Sequence, residues 1–252
     1  MMIFLGFLLL FVIARSRTLP GDPRLEDDPE LTPGFFEGDI ALDVSQRNGV
    51  RKKSRHWPNG TVYYKICKGF FNKEQVLLIK CAMKYIQDVS CIRFIKAADN
   101  QPYFLNITGT QRGCHSKVGF TGRVQRFNLK PYPLEKGCFR FGSIVHEMMH
   151  ALGFYHMQNT YNRDEYVYIA KENIKEGHFH NFKRYDKKHI EDFESEYDYA
   201  SIMHYKKYAF TKNGKDTIVP LKKEAKGVMG QRVGLTKCDI GKLNKMYKCG
   251  KN

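Results

Sequence analysis

The chain has 252 residues, enough for one sizeable domain or a domain with a processed segment, and its hydrophobic content of 42% is ordinary for a globular protein. Its formal net charge of +16 is unusual and favours either a polyanion-binding protein or a basic secreted one. The basic residues are scattered and lack a helix-turn-helix, zinc-finger or aromatic RNA-binding motif, which excludes nucleic acid as a partner and leaves anionic glycans or cell surfaces open.

An apolar run opens the chain. Residues 3–13 are too short to span a bilayer comfortably, and small residues follow at Ala14 and Ser16. We interpret residues 1–16 as a signal peptide, with a membrane anchor as the alternative. No other long apolar run follows, so we expect a secreted, extracellular product without a membrane span. Seven cysteines fit an oxidising compartment, and their odd number leaves at least one outside intramolecular pairs.

Residues 17–47 form an acidic segment. They hold eight acidic residues against three arginines, a net charge of −5, which leaves +20 on residues 48–252 once Arg15 is set aside. Few of its side chains are large and apolar, so the segment cannot build its own core. An acidic leader opposite a basic domain predicts an inhibitory propeptide that docks by charge. The basic residues 48–55 then predict an exposed cleavage region.

The next part of the chain alternates strand and helix patterns. Three short segments have the residue pattern of β-strands, namely residues 61–66, 92–95 and 103–107. Residues 72–90 have helical spacing and begin with a capping box at Asn72. A final helix is predicted from its cap at Thr236 to Tyr247. Glycosylation sequons begin at Asn59 and Asn106.

A histidine motif lies on the helix that we predict to begin near Ser143. His146 and His150 are four residues apart, so both imidazoles project from one helical face and reach a single metal ion. Glu147 is left free to act as a base, and Gly153 allows the chain to turn so that His156 becomes a third ligand. Three protein ligands leave a fourth position for water, which is typical of a catalytic zinc site.

These motifs and several others resemble the astacin family of zinc metalloendopeptidases, which are metzincins. The matching segments are residues 146–156 and 163–167, the methionine turn at 201–205, the leader motif at 36–39, and residues 91–94 and 113–119. The alternative, an exposed helix with three unrelated histidines, has to explain all of these coincidences. The resemblance implies an α+β, two-lobed catalytic domain: an N-terminal lobe with a twisted, mostly parallel sheet and two long helices, and an irregular C-terminal lobe ending in a helix.

The resemblance also implies a role for each matching residue. His146, His150 and His156 bind zinc, and Glu147 is the general base and then the general acid. Tyr205 is an extra metal ligand that swings to stabilise the oxyanion, and Met203 forms the floor beneath the zinc. In the leader, Asp39 is the zinc ligand that keeps the zymogen inactive. The implied disulfides are Cys91–Cys249 and Cys114–Cys138, and a trypsin-like protease is expected to cut near Arg47.

Two features depart from the family pattern. The family usually has Glu directly after the third histidine, where it meets the new N-terminus, but this chain has Met157, and Thr160 and Asn162 replace further family residues. We therefore expect the mature N-terminus not to be buried in the family manner. Three further cysteines lie outside the family pairs. We expect a Cys81–Cys238 bridge that leaves Cys67 unpaired. The alternatives are three buried thiols or a local Cys67–Cys81 bridge.

The sequence thus predicts a monomeric, secreted zinc endopeptidase made as a zymogen and acting on proteins or peptides. The alternative is a secreted metal-binding module with weak or no proteolytic activity, which Met157 favours. Polyanion binding by the +20 surface is an accessory hypothesis. Lys206, Lys207 and Lys212 follow the methionine turn, and they predict a preference for an acidic residue after the cut.

Overall fold

The computed structural model describes residues 28–32, 34–41, 55–188, 190–193, 195–225 and 228–250. The predicted signal peptide, part of the leader and the cleavage region near Arg47 lie outside these residues. Among the described residues, no helix is both long enough and apolar enough to cross a bilayer.

The N-terminal lobe is built on a five-stranded sheet in the order β2-β1-β3-β5-β4. Its strands are β1 (Thr61–Ile66), β2 (Arg93–Lys96), β3 (Leu105–Thr108), β4 (Cys114–Ser116) and β5 (Gln125–Leu129). Four strands run parallel, and only the edge strand β4 is antiparallel to its neighbour. The strand predictions are thus correct within two residues at each end, and the sheet is mostly parallel, as expected.

Two helices cover this sheet. Helix α1 (Lys73–Val89) starts with the predicted capping box, in which Asn72 and Gln75 exchange side chain-to-backbone hydrogen bonds, and its buried stripe includes Ile79 and Ile86. Helix α2 (Phe141–Leu152) packs against α1 and strand β4, and all but its first residue are buried. A helix buried on all sides is the rigid support that a precise metal site needs.

The C-terminal lobe has little regular structure. A two-stranded antiparallel sheet joins β6 (Val167–Ile169) to β7 (Ile218–Pro220), and the chain ends in helix α3 (Lys237–Tyr247), which Thr236 caps as predicted. Two short 3-10 turns, Lys171–Asn173 and Phe179–Phe182, follow β6. A separate apolar cluster, which includes Phe182, Tyr205 and Phe210, forms the core of this lobe.

The structure contains both disulfides that the family resemblance implies. Cys91–Cys249 ties the end of α1 to the end of α3, and Cys114–Cys138 ties β4 to the segment before α2. The Cys81–Cys238 bridge is not formed, because Cys81 lies exposed on α1 while Cys238 approaches the Glu196 carbonyl. Similar depth along two helices does not give a bridge when the side chains point in different directions.

The two sequons differ in their surroundings. Asn59 lies exposed in a turn with a φ of 52°. Asn106 lies half-buried in the central strand β3, and its side-chain oxygen accepts a hydrogen bond from the Cys67 thiol at 3.0 Å. Glycosylation of either asparagine stays a prediction, and Asn59 is the more accessible acceptor.

Candidate active site

Helix α2 carries the first two histidines on one face. His146 and His150 lie one turn apart, and both side chains are fully buried. Gly153 ends the helix with a φ of 116°, a conformation that favours glycine, and its N–H donates to the His150 carbonyl. The resulting turn brings His156 alongside, so that the three imidazole ring centroids lie 4.6–5.2 Å apart.

The outer nitrogen of each imidazole, Nδ1, has a hydrogen-bond partner. The Nδ1 partners, each at 2.7 Å, are the Ile202 carbonyl for His146, the Phe154 carbonyl for His150 and the Glu37 carboxylate for His156. A neutral imidazole carries one proton, so a proton held at Nδ1 leaves a lone pair on Nε2. All three Nε2 lone pairs are then free for one shared ligand.

A carboxylate of the leader faces these three nitrogens. Oδ2 of Asp39 lies 3.1 Å from Nε2 of His146 and 3.3 Å from Nε2 of His156. Oδ1 of Asp39 lies 3.3 Å from Nε2 of His150. Lone pairs that face a buried carboxylate are stabilised by a cation between them, either a metal ion or a proton. The four ligand atoms lie within 4.8 Å of one another, and three nitrogens with one oxygen make a donor set that zinc accepts in tetrahedral geometry. The residues therefore fit zinc.

The backbone of the leader is shaped to deliver this carboxylate. The Ser116 N–H on the edge strand β4 donates to the Asp39 carbonyl at 3.0 Å, and the Ala41 N–H donates to the Ser116 carbonyl at 2.8 Å. Gly38 has a φ of 79°, and a Cβ there would lie 2.7 Å from the Glu30 carbonyl oxygen. Glycine is thus required for the tight turn that places Asp39 over the histidines.

Glu37 is a second leader residue at the site, and the sequence predicted no role for it. Its carboxylate accepts a hydrogen bond from the Tyr185 hydroxyl at 2.6 Å, in addition to its contact with His156. Its backbone carbonyl accepts a hydrogen bond from the Tyr205 hydroxyl at 2.6 Å. The leader therefore contacts a metal-ligating histidine and the predicted oxyanion partner with adjacent groups.

Glu147 lies in the same buried pocket without a partner. Among the described residues, neither of its carboxylate oxygens has a hydrogen-bond partner. Burial raises the pKa of Glu147 well above its usual value, and the negative charges of Asp39 and Glu30 raise it further. Both of those carboxylates belong to the leader, so departure of the leader removes two of the influences that favour the protonated form.

The methionine turn closes the site from below. Met203 is buried, and its carbonyl accepts a hydrogen bond from the Met157 N–H at 3.0 Å. Asp239 at the start of α3 holds the turn, since its carboxylate accepts from the Ser201 hydroxyl at 2.6 Å and the Ile202 N–H at 2.9 Å. The Ile202 carbonyl in turn orients His146, so Asp239 supports the metal site through the backbone of the turn.

Cations line the cleft where the leader enters. The Arg232 guanidinium contacts the Glu30 carboxylate at 2.6 Å, and both side chains are buried. Lys206 contacts Asp28 at 2.7 Å, and Arg140 lies 3.9 Å from the same carboxylate. The sequence identified Lys206 but missed the two arginines.

Neither of the other two predicted lysines pairs with a leader carboxylate among the described residues. Lys207 pairs with Asp216 at 3.3 Å on the surface. Lys212 is exposed and directly follows Thr211, which forms a β-bridge with Ile174. Because the adjacent Lys206 and Lys207 point in different directions, spacing along the chain does not reveal which of them enters the cleft.

Comparisons with known proteins agree with this geometry. The model of the astacin family of peptidases matches residues 49–248. The chain is 44% identical over 230 residues to seminal metalloprotease 1 of Drosophila melanogaster, covering 90% of this chain and 91% of that protein. It is 34% identical to zinc metalloproteinase nas-4 of Caenorhabditis elegans, covering 90% and 72%.

A solved structure also matches. High choriolytic enzyme 1, a hatching-enzyme zinc protease of the medaka fish Oryzias latipes, superposes with a TM-score of 0.71 at 33% identity, covering 80% of this chain and all of that one. The fold, the three histidines and the sequence relationships thus point to one family.

Proposed function

Because the chain belongs to the astacin family, and is therefore a zinc-dependent peptide hydrolase, we propose that it is a secreted endopeptidase made as a zymogen. The observation that carries this proposal is the Asp39 carboxylate, which faces Nε2 of all three histidines from within the acidic leader. The apolar N-terminal run and the two disulfides support secretion.

Zinc would be held by His146, His150 and His156, and when bound it supplies Lewis acidity toward the scissile carbonyl and toward water. Glu147 then accepts the proton of the attacking water and passes it to the leaving amine. Its place directly after His146 and its lack of any other partner among the described residues support this role.

Tyr205 is proposed to stabilise the developing oxyanion. Burial raises the pKa of its hydroxyl well above the usual value, and the charges of Glu37 and Asp39 add to the effect, so the hydroxyl stays a donor. In the zymogen it donates to the Glu37 carbonyl. Departure of the leader frees this donor for the carbonyl oxygen of a substrate.

The leader is proposed to inhibit at three places. Asp39 would exclude water from the place where the three histidines would hold zinc, and Glu37 engages the Tyr205 hydroxyl through its carbonyl and His156 through its carboxylate. Residues 39–41 cover the edge of β4. A cut near Arg47, outside the described residues, would release these contacts together.

The cations that the leader covers are proposed to set substrate preference. Arg232 and Lys206 hold carboxylates of the leader, and they become available to acidic side chains of a substrate once it leaves. Cleavage profiling of the activated chain on a peptide library should show enrichment of acidic residues after the cut. A neutral or basic preference at that position contradicts this assignment.

The proposed mechanism is tested by Glu147→Ala. A casein zymogram of the chain cut after Arg47 should show proteolysis in the parent, no proteolysis in the variant, and loss of parental activity with a zinc chelator. Zinc content, measured by metal analysis, should be unchanged because the three histidines are intact. Full activity of the variant would refute the role of Glu147, whereas an inactive parent that keeps zinc would favour a metal-binding module.

A further inference from the structure

The backbone of Tyr205 is held on both sides by buried side chains. Its N–H donates to Oε1 of Gln158 at 3.0 Å, and its carbonyl accepts from Nδ1 of His204 at 2.7 Å. His204 is itself fixed, because its Nε2 accepts a hydrogen bond from the Tyr197 hydroxyl at 2.7 Å. The hydroxyl of Tyr205, by contrast, is bonded to the Glu37 carbonyl of the leader. When the leader leaves, the backbone of Tyr205 keeps these partners and its hydroxyl loses this one.

Gln158 belongs to a buried 3-10 turn that follows the third histidine. The turn spans Met157–Asn159, and the side chain of Gln158 is fully buried. Its backbone carbonyl accepts a hydrogen bond from the Arg163 guanidinium at 3.1 Å. The N–H of Met157 donates to the Met203 carbonyl at 3.0 Å. Two consecutive residues therefore bind the methionine turn, one through its backbone and the other through its amide side chain.

The amide of Gln158 uses one of its two ends. The atom that faces the Tyr205 N–H is an acceptor, which assigns it as Oε1. The Nε2 end is buried and has no hydrogen-bond partner in the part of the chain that the structure describes. A buried donor without a partner is unfavourable, and an apolar side chain of the same length would avoid it. The hydrogen bond to Tyr205 is the contact that such an apolar side chain would not supply.

We infer that Gln158 is a positioning residue for the reaction, whose amide oxygen fixes the backbone of Tyr205 beside the metal site. The rings of Tyr205 and His156 lie 4.5 Å apart, and Gln158 follows His156 by two residues, so one short segment sets the distance between the third histidine and the oxyanion donor. The inference rests on the proposed role of Tyr205. A hydroxyl that bonds the oxyanion acts in the transition state, so misplacing it lowers kcat more than it raises KM.

The first test measures amide hydrogen exchange of Tyr205 in the uncut chain, by NMR of protein labelled with ¹⁵N-tyrosine. Gln158→Met keeps the length of the side chain but removes the amide oxygen. Asn159→Leu is the matched control, because it removes a neighbouring buried amide that donates to the Asn181 carbonyl. Relative to the other tyrosine amides, Tyr205 should exchange about tenfold faster in Gln158→Met and at the parental rate in Asn159→Leu. Unchanged exchange of Tyr205 in Gln158→Met overturns the inference.

The second test is a double-mutant cycle in the activated enzyme on a fluorogenic peptide. Gln158→Met should lower kcat about tenfold with little change in KM, since small displacements of a reacting group are costly. In a Tyr205→Phe background the same substitution should change kcat by less than about twofold, because the hydroxyl that it displaces is gone. An equal loss in both backgrounds shows that Gln158 acts elsewhere and overturns the inference. Unchanged kcat in Tyr205→Phe alone overturns the oxyanion role as well.

A third variant decides the matter if Gln158→Met does not fold. Gln158→Glu still presents an oxygen to the Tyr205 N–H and loses the amide nitrogen that has no partner among the described residues. We expect its kcat to stay within about threefold of the parent value, because the positioning hydrogen bond is kept. A folded Gln158→Glu enzyme with kcat as low as that of Tyr205→Phe contradicts the assignment.

Discussion

Replacing Glu30 by Gln should weaken binding of the leader to the cleft far more than replacing Asp28 by Asn. The Glu30 carboxylate contacts Arg232 at 2.6 Å and also accepts a hydrogen bond from the Ser143 hydroxyl at 2.5 Å. Its side chain is 4% exposed and that of Arg232 is 7% exposed, so water does not screen the pair. Glutamine keeps the shape but removes the charge, and the docked leader then buries Arg232 without a counterion.

The magnitude follows from this burial. Truncating one partner of a buried, hydrogen-bonded charge pair at an interface costs about 2–5 kcal/mol. Taking about 3 kcal/mol, the inhibition constant Ki should rise roughly 150-fold, since each 1.4 kcal/mol is a factor of ten. Asp28→Asn is the matched control, because Asp28 contacts Lys206 at a wetter position where the two side chains are 13% and 25% exposed. For this pair we expect about 1 kcal/mol, or roughly a fivefold effect.

The assay supplies a synthetic peptide of residues 17–47 to the activated enzyme and measures Ki on a fluorogenic peptide. Parent, Glu30→Gln and Asp28→Asn peptides are compared at one salt concentration and again at higher salt. The partly exposed Asp28–Lys206 pair should lose its small effect at high salt, and the buried Glu30–Arg232 pair should not. Similar Ki values for Glu30→Gln and Asp28→Asn would show that burial of the Arg232 pair does not control docking, and the reasoning would be wrong.

Three further predictions concern the same cleft. Although burial alone would raise the pKa of Glu30, the Arg232 guanidinium holds it well below its ordinary value of 4.5 in the docked leader. The contribution of Glu30 to docking should therefore be complete above pH 4.5 and should decline progressively as the pH falls further, as a Ki series for parent and Glu30→Gln peptides will show. Asp39→Asn should weaken binding of the leader peptide by about 2–5 kcal/mol, measured as a rise in Ki, because the amide presents no negative charge to the histidine site. Tyr205→Phe should lower kcat by about 10²–10³ with little change in KM, and an equal change in both would contradict an oxyanion role.

The local part of the active site could be predicted from the sequence. His146 and His150 share a helical face because residues four apart on any α-helix do. Gly153 is suited to the backbone reversal that brings in His156. These relations depend on geometry within one helix and one turn. The same holds for the capping boxes at Asn72 and Thr236, which fixed the starts of α1 and α3.

The rest of the site depends on contacts between distant parts of the chain. Glu30 and Arg232 are 202 residues apart, and Glu37 and His156 are 119 apart, so their pairing follows from the fold and not from spacing. The unformed Cys81–Cys238 bridge failed for a related reason. The direction of each side chain around its helix depends on tertiary packing, which spacing along the chain does not show.

The distribution of leader contacts bears on how activation proceeds. In the proposed zymogen the leader is an intramolecular ligand, with an effective concentration of about millimolar for a short connection. A roughly 150-fold rise in Ki from Glu30→Gln then leaves the leader docked, unless the Ki of the parent leader is already near micromolar. The contacts of Asp39, Glu37 and the β4 edge still hold the leader in this variant. Uncut Glu30→Gln chain should therefore stay inactive, yet gain activity faster than the parent once it is cut near Arg47. Activity of this variant before any cut would mean that the Arg232 pair, and not the metal-facing carboxylate, is the main restraint on the enzyme.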